Sequence, residues 1–337
     1  MTRSRVTLAD VSKRAGVGVA TVSRALAAEP HRDVSPATRE RIRKIADELG
    51  YRPSLAARAL RTGDYRALSV IVPDFEWGWW EPVVRSAYNA AEEHGYHLLV
   101  HPVGERRDGP AGTISALSNV PTDGVIVLGY GASREVQEAA GALRLPVVSV
   151  DDTVTQPILP TVSVDNRAGG RMATEHLLSQ GLQRVAYVGN TWKADFVDQR
   201  IQGYRDAHES AGIEVDEQLI LKCENPAGDP PLTFKELDDL LAAGVRFDGM
   251  FCEYDRMAGP ALRSLRRAGL TVPDDVAVVG YDDEESAKLT DPPLTTIRQP
   301  YEELGALAVS LAIQAQSSPL TAERRTIVPT LRKRHSA

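Results

Sequence analysis

Thr21, Ser23 and Arg24 follow Val19 and Ala20 within six residues. Hydroxyls suit phosphate oxygens, and a guanidinium can give two parallel hydrogen bonds to a guanine edge. Val19 and Ala20 can touch a thymine methyl but make no bidentate bond, so Arg24 is the main base-edge reader of the set. These groups act together only if one helix carries them into the major groove, and the flanking sequence supplies that helix. In VTLADVSKRAGVGVATVSRAL (residues 6–26), Thr7 and Asp10 match a capping box with Thr7 as N-cap, and Thr7 joins the candidate DNA contacts. Leu8, Val11 and Ala15 share a face, Gly16 ends the first helix, and Gly18 opens a second with Val22 and Leu26 inward. The pattern is that of a helix-turn-helix, although an ordinary amphipathic helix pair would show the same spacing.

A third helix opens at Ser35-Pro36, buries Ile42, Ile45, Ala46 and Leu49, and closes at Gly50. Together, TLADVSKRAGV, ATVSRAL, VSPATRERI, ELGYRP and AARALRTG resemble the lactose-repressor (LacI/GalR) family of bacterial transcription regulators. The resemblance continues to the C-terminus. It implies a hinge at 51–65 that becomes helical on the operator. There Leu60 would wedge into the central minor-groove step, with Ala57 beside it and Arg58 on phosphate. The residues alone fit equally a linker whose leucine docks on the core.

Charge divides the chain in the same way. Residues 1–64 carry 13 Lys+Arg against 7 Asp+Glu, and the remainder carries 26 against 39, so a basic head sits on an acidic body within a net charge of −7. That is the footprint of a DNA reader with a separate ligand domain. Cys223 and Cys252 are too few for a disulfide framework or metal cluster and read as buried thiols. No cofactor or metal is expected. With no long apolar run and no signal-peptide pattern, a cytoplasmic location is expected.

Beyond residue 65 the chain alternates apolar runs and helical periods. Candidate strands are Leu68–Val72, His97–His101, Gly124–Leu128, Pro146–Val150, Arg184–Val188, Asp248–Cys252 and Val276–Val279. Such alternation predicts an α/β protein with parallel sheets covered by helices on both faces, and its length favours two lobes. The expected organisation is an all-α headpiece at 1–50 and the hinge at 51–65. By the resemblance, a periplasmic-binding-protein-like core follows. Its first lobe comprises 66–164 and 297–325, its second 165–296 and 326–331 with the last strand near Ile327, and a tail runs over 332–337. The absence of the family's leucine-rich tail implies a homodimer.

Ligands of such folds bind where strands end, here between the lobes. The loop Pro73-Asp74-Phe75-Glu76-Trp77-Gly78-Trp79-Trp80 holds three of the four tryptophans. Asp74, Trp79 and Trp80 suit a sugar's hydroxyls and C–H face, unless the rings pack in the core or at an interface. The resemblance adds Arg200, Asp282 and Asp151 as cleft contacts and Tyr254 at a strand end; surface or capping charges are the plainer alternative for the first three. The expected function is a non-enzymatic, sugar-responsive repressor of carbohydrate-use genes on a palindromic operator. Control by a non-sugar ligand or a partner protein is the alternative. A transport sugar-binding protein would lack the head, and a nicotinamide enzyme would need more than Gly129-Tyr130-Gly131, where Arg134 takes the third glycine's place.

Overall fold

The computed structural model describes residues 6–27, 32–51, 63–73, 77–103, 109–129, 133–150, 153, 155–224 and 231–337, without the side chains of 77–79. Two compact units divide the chain, Met1–Tyr65 and Arg66–Ala337.

Among its described residues the first unit holds three helices, α1 (Leu8–Ala15), α2 (Val19–Ala25) and α3 (Pro36–Leu49). Thr7 and Asp10 form the full capping box, with the Thr7 N–H donating to Asp10 Oδ2 at 2.8 Å. Gly16 ends α1 at φ 66°, and Ser12 Oγ donates to the Val17 carbonyl at 2.6 Å, which fixes the turn into α2. Val11, Ala15, Val22, Ala25, Ile42 and Ala46 form the buried centre, so each helix contributes two anchors spaced three or four residues apart.

The second unit is two α/β lobes. The first begins with β1 (Ala67–Pro73), α4 (Trp77–Glu93), β2 (His97–Val103), α5 (Gly109–Ala116), β3 (Gly124–Leu128), α6 (Arg134–Leu143), β4 (Val147–Val150) and β5 (Thr161–Val164). The chain then crosses to α7 (Asn166–Leu178), β6 (Val185–Asn190), α8 (Asp195–Ala211), β7 (Ile220–Cys223), α9 (Lys235–Ala242), β8 (Gly249–Cys252), α10 (Asp255–Arg267), β9 (Ala277–Asp282), α11 (Glu285–Leu289) and β10 (Thr295–Arg298). It returns for α12 (Tyr301–Ser317) and β11 (Arg324–Ile327), then crosses a third time to β12 (Thr330–Arg332).

One six-stranded sheet runs β11-β5-β4-β3-β1-β2 and the other β12-β10-β9-β8-β6-β7. Among the described residues every pairing is parallel except that of β12 on β10. Helices cover both faces, so β1, β3, β6, β8 and β9 are buried along their whole length and are largely apolar. Strand order reverses between β1 and β3 in one lobe and between β6 and β8 in the other. The crevices at those reversals open at the carboxyl ends of the strands.

Two expectations about the C-terminal end are corrected. Ile327 lies on β11, which pairs with β5 in the first sheet, and the strand contributed to the second sheet is Thr330–Arg332. Residues 332–337 are not a loose tail. Ser336 is fully buried, and its hydroxyl accepts from the Thr295 N–H at 2.8 Å and donates to the Val278 carbonyl at 2.5 Å. Both strands are too short and polar to reveal their sheet by period.

Candidate functional sites

On the headpiece, α2 turns Val22 and Ala25 inward and leaves Val19, Ala20 and Arg24 outward, with Val19 46% exposed. Thr21 and Ser23 are half-buried at the edges of that face. Arg24 Nη1 stands 3.9 Å from Asp33, an exposed and weak pair that a DNA base can displace at little cost. Ala57, Arg58 and Leu60 lie outside the described residues.

In the second lobe, Arg200 on α8 is buried among groups it does not neutralise singly. Its Nε donates to Asn166 Oδ1 at 2.8 Å, its Nη1 donates to the Glu253 carbonyl at 2.6 Å, and its Nη2 lies 3.8 Å from Asp282. The guanidinium covers the Tyr281 ring, 3.5 Å from its centroid. The approach of α8 to α7 that allows this depends on glycine. A Cβ on Gly203 would lie 2.1 Å from the Arg167 carbonyl oxygen, and one on Gly170 would lie 2.3 Å from that of Arg200.

Asp282 ends β9 in a left-handed conformation, φ 111°, which points to strain held at a site. Gln299 Nε2 donates to its carboxylate at 2.6 Å, and the Tyr301 hydroxyl donates to its carbonyl at 2.9 Å. Burial pushes the Asp282 carboxyl up to about 7 despite Arg200. Its neighbour Asp255, fully enclosed and accepting from the Thr296 hydroxyl at 2.6 Å, is held far above the usual carboxylate range by burial and by the Asp282 charge. One buried guanidinium thus faces an excess of carboxyl groups.

Tyr254 caps α10 and stacks on Trp192, with ring centroids 6.2 Å apart at 23°. The two rings sit on the loops after β8 and β6, at the strand-order reversal, and Trp192 is 39% exposed. Across the cleft Asp195, at the start of α8, accepts from Arg324 at 2.9 Å and from the Thr155 hydroxyl at 3.0 Å, tying the second lobe to the first.

The profile for bacterial regulatory proteins of the lacI family matches residues 7–54, and that for a periplasmic binding protein-like domain matches residues 174–337. The transcriptional repressor CytR of Escherichia coli (strain K12) is 34% identical over 315 residues, covering 91% of this chain and 89% of that repressor. The chain belongs to the lacI family of bacterial transcriptional regulators. This lacI-family chain is also 31% identical over 339 residues to the regulator CelR of Thermobifida fusca, covering 97% of each. Its fold matches a lac repressor dimer bound to operator and the anti-inducer ONPF, with a TM-score of 0.81 at 25% identity over 99% of both chains. A complex of CelR with cellobiose matches with a TM-score of 0.69 at 29% identity, over 99% of this chain and 100% of that one. The lacI-family chain is therefore a DNA-binding regulator and not an enzyme.

Of the cleft residues expected from sequence, the structure brings Arg200, Asp282 and Tyr254 together in this lacI-family core. Trp80 belongs to the first-lobe core at 8% exposure, and its ring fills the space above Gly129, where a Cβ would lie 2.8 Å from it. It is a wall at the end of β1 and β3, not a free stacking face. Asp74 and Asp151 lie outside the described residues, as does the side chain of Trp79. Trp192, Asn166, Glu253 and Gln299 were not singled out from sequence. The signal for Trp192 was a lone aromatic two residues past a buried strand ending in Gly-Asn. Asn166 and Gln299 mark the crossovers, which no local pattern announces.

Proposed function

We propose that this regulator represses carbohydrate-use genes and answers to a small neutral or cationic sugar held between its lobes. Two chains would bind the half-sites of a palindromic operator, with α2 of each in the major groove and Arg24 reading a base edge. By the family resemblance, Leu60 would wedge into the operator's centre, with Ala57 beside it and Arg58 on phosphate. The cytoplasm, where the DNA lies, is its place of action. Among the described residues no helix is long and apolar enough to cross a membrane.

The observation that carries the effector reading is the stacked Trp192–Tyr254 pair beside buried Arg200 and Asp282. Aromatic faces take the apolar side of a pyranose or furanose ring, and the fixed charges take its hydroxyls. Gln299 Oε1 is buried with no partner among the described residues and would accept from a ligand hydroxyl. The carboxyl excess disfavours a phosphorylated sugar. Asp74, Trp79 and Asp151 are proposed as the first-lobe wall.

Full-length protein should be titrated with cellobiose, ribose and a panel of neutral and amino sugars, following thermal stability and operator affinity. A sugar that raises the melting temperature with concentration and changes operator affinity supports the reading. Response to none of the panel overturns it in favour of a non-sugar ligand or a partner protein.

A further inference from the structure

Glu253, the residue after β8, is fully buried, and among the described residues its carboxylate is bonded by neutral donors and by no cation. Arg200 reaches only its backbone carbonyl. A buried carboxylate without a bonded cation is costly and calls for other compensation. Three donors supply it, two of them from one residue. Asn190 Nδ2 donates to Oε1 at 2.5 Å, the Asn190 N–H donates to Oε2 at 3.3 Å, and the Tyr187 hydroxyl donates to Oε2 at 2.8 Å. Gly189 leaves the room, since a Cβ there would lie 2.4 Å from Oε2. The end of β6, Tyr187–Asn190, is therefore shaped around a side chain from β8's end.

The chain of contacts continues outward. Asn190 Oδ1 accepts the Trp192 N–H at 2.5 Å. Trp192 stacks on Tyr254, the residue next to Glu253. Glu253, Asn190, Trp192 and Tyr254 thus close a ring joining the two loops that flank the strand-order reversal. With Asn190 Nδ2 engaged by the carboxylate, its Oδ1 faces the Trp192 amide, so Glu253 sets the amide's orientation.

We propose that Glu253 is a positioning residue for the effector platform, its carboxylate holding the Trp192 loop so that the indole lies stacked on Tyr254. What the platform binds rests on the effector reading above; the clamp itself does not. The groups facing Glu253 are Tyr187 from β6, Arg200 from α8 and Cys223 from β7, with Asp282 of β9 beyond Arg200 and Asp198 near Tyr187. Burial pushes the Glu253 carboxyl up to about 7, while Arg200 and the bonds from Tyr187 and Asn190 pull it down. Proton uptake adds a donor to a site already filled with donors, so the Asn190 bonds weaken and the Trp192 loop loosens.

The test uses full-length protein labelled with 5-fluorotryptophan and no effector. The Trp192 fluorine resonance is assigned by its loss in Trp192→Phe. In the wild type it should move between pH 8 and pH 6 with a midpoint near 7. In Glu253→Gln, which keeps the volume, the resonance should sit near the wild type's low-pH position at every pH. Tyr187→Phe should keep the transition and raise its midpoint, because a bond to the charged form is lost. Asp282→Asn, which removes the other carboxyl held near 7, should leave the transition in place. A Glu253→Gln resonance at the wild type's high-pH position, a transition that survives Glu253→Gln, or one abolished by Asp282→Asn overturns the clamp. Failure of sugars to bind overturns the effector reading alone.

Discussion

Gly203→Ala is the smallest change that should separate the second lobe's packing from its chemistry. The added methyl would fall 2.1 Å from the Arg167 carbonyl oxygen and 2.6 Å from the Arg171 nitrogen, both backbone atoms of α7 that cannot rotate away. An ordinary carbon–oxygen contact needs about 3.3 Å, so α8 must retreat by roughly 1 Å. Overpacking of this kind costs about 1–3 kcal/mol, and the rigid neighbours place this site at the upper end. At about 2–4 °C per kcal/mol, the melting temperature should fall by roughly 6–12 °C. Arg200 lies one turn before Gly203 on the same helix. The same retreat stretches its 2.8 Å bond to Asn166 beyond hydrogen-bond range. Differential scanning calorimetry of the core and effector titration of operator-bound protein read the two effects. The headpiece is a separate unit, so operator affinity without effector should change little at 20 °C. A melting temperature within about 1 °C of wild type would show that the helices have room, and would refute the close-packing explanation of Arg200's position.

Arg24→Ala should weaken operator binding by about 1–3 kcal/mol per half-site, concentrated at one base pair in a substitution scan; an equal loss at all sequences would mark a phosphate contact instead. Trp192→Ala should lower effector affinity about 2- to 12-fold, since one stacked aromatic face contributes about 0.5–1.5 kcal/mol, and leave effector-free operator binding unchanged in the same mobility-shift assay. For Asp282→Asn the sign follows from its raised carboxyl. The folded chain keeps that proton up to about 7, whereas an unfolded aspartate releases it near 4, so wild-type stability falls as pH rises across that window. The variant lacks this loss, and its stability relative to wild type should improve by up to about 4 kcal/mol between pH 4 and pH 8 in urea melts. Relative destabilisation that grows toward pH 8 would mean instead that Asp282 is ionised and paired with Arg200.

The parts of the fold legible in the sequence are those where burial repeats a simple period. Leu68–Val72 and Gly124–Leu128 are β-branched runs because helices cover both of their faces, and the Thr7–Asp10 capping box is a local signal that survives folding. Thr161–Val164 and Thr295–Arg298 were illegible for the opposite reason. Their buried hydroxyls look like loop chemistry until their acceptors are known. Thr161 donates to the Leu159 carbonyl at 2.8 Å, and Thr296 donates to Asp255 across 41 residues. In the site, Arg200 and Asp282 came from a resemblance; nothing in their local sequence predicts burial beside each other. Trp80 misled because an aromatic beside acids resembles a sugar platform, whereas its place is decided by the space above Gly129, a contact 49 residues away in sequence.

The polar site is wired into the segments that join the lobes. Arg200 bonds Asn166, the first residue after the first crossover. Asp282 bonds Gln299 and Tyr301, which bracket the second. The third lies alongside the first, because the Asp165 N–H donates to the Ile327 carbonyl at 2.9 Å. A ligand that recruits Arg200 or Asp282 must therefore share or replace bonds that fix the crossovers. Any difference in those bonds between open and closed lobes becomes a difference in ligand affinity. That difference is the most a ligand can contribute to switching. A sugar that touched only Trp192 and Tyr254, on one lobe, would bind without moving the equilibrium. One that also engages Arg200 and Asp282 would move it, so effector strength in this protein should track contact with those two residues more closely than it tracks affinity.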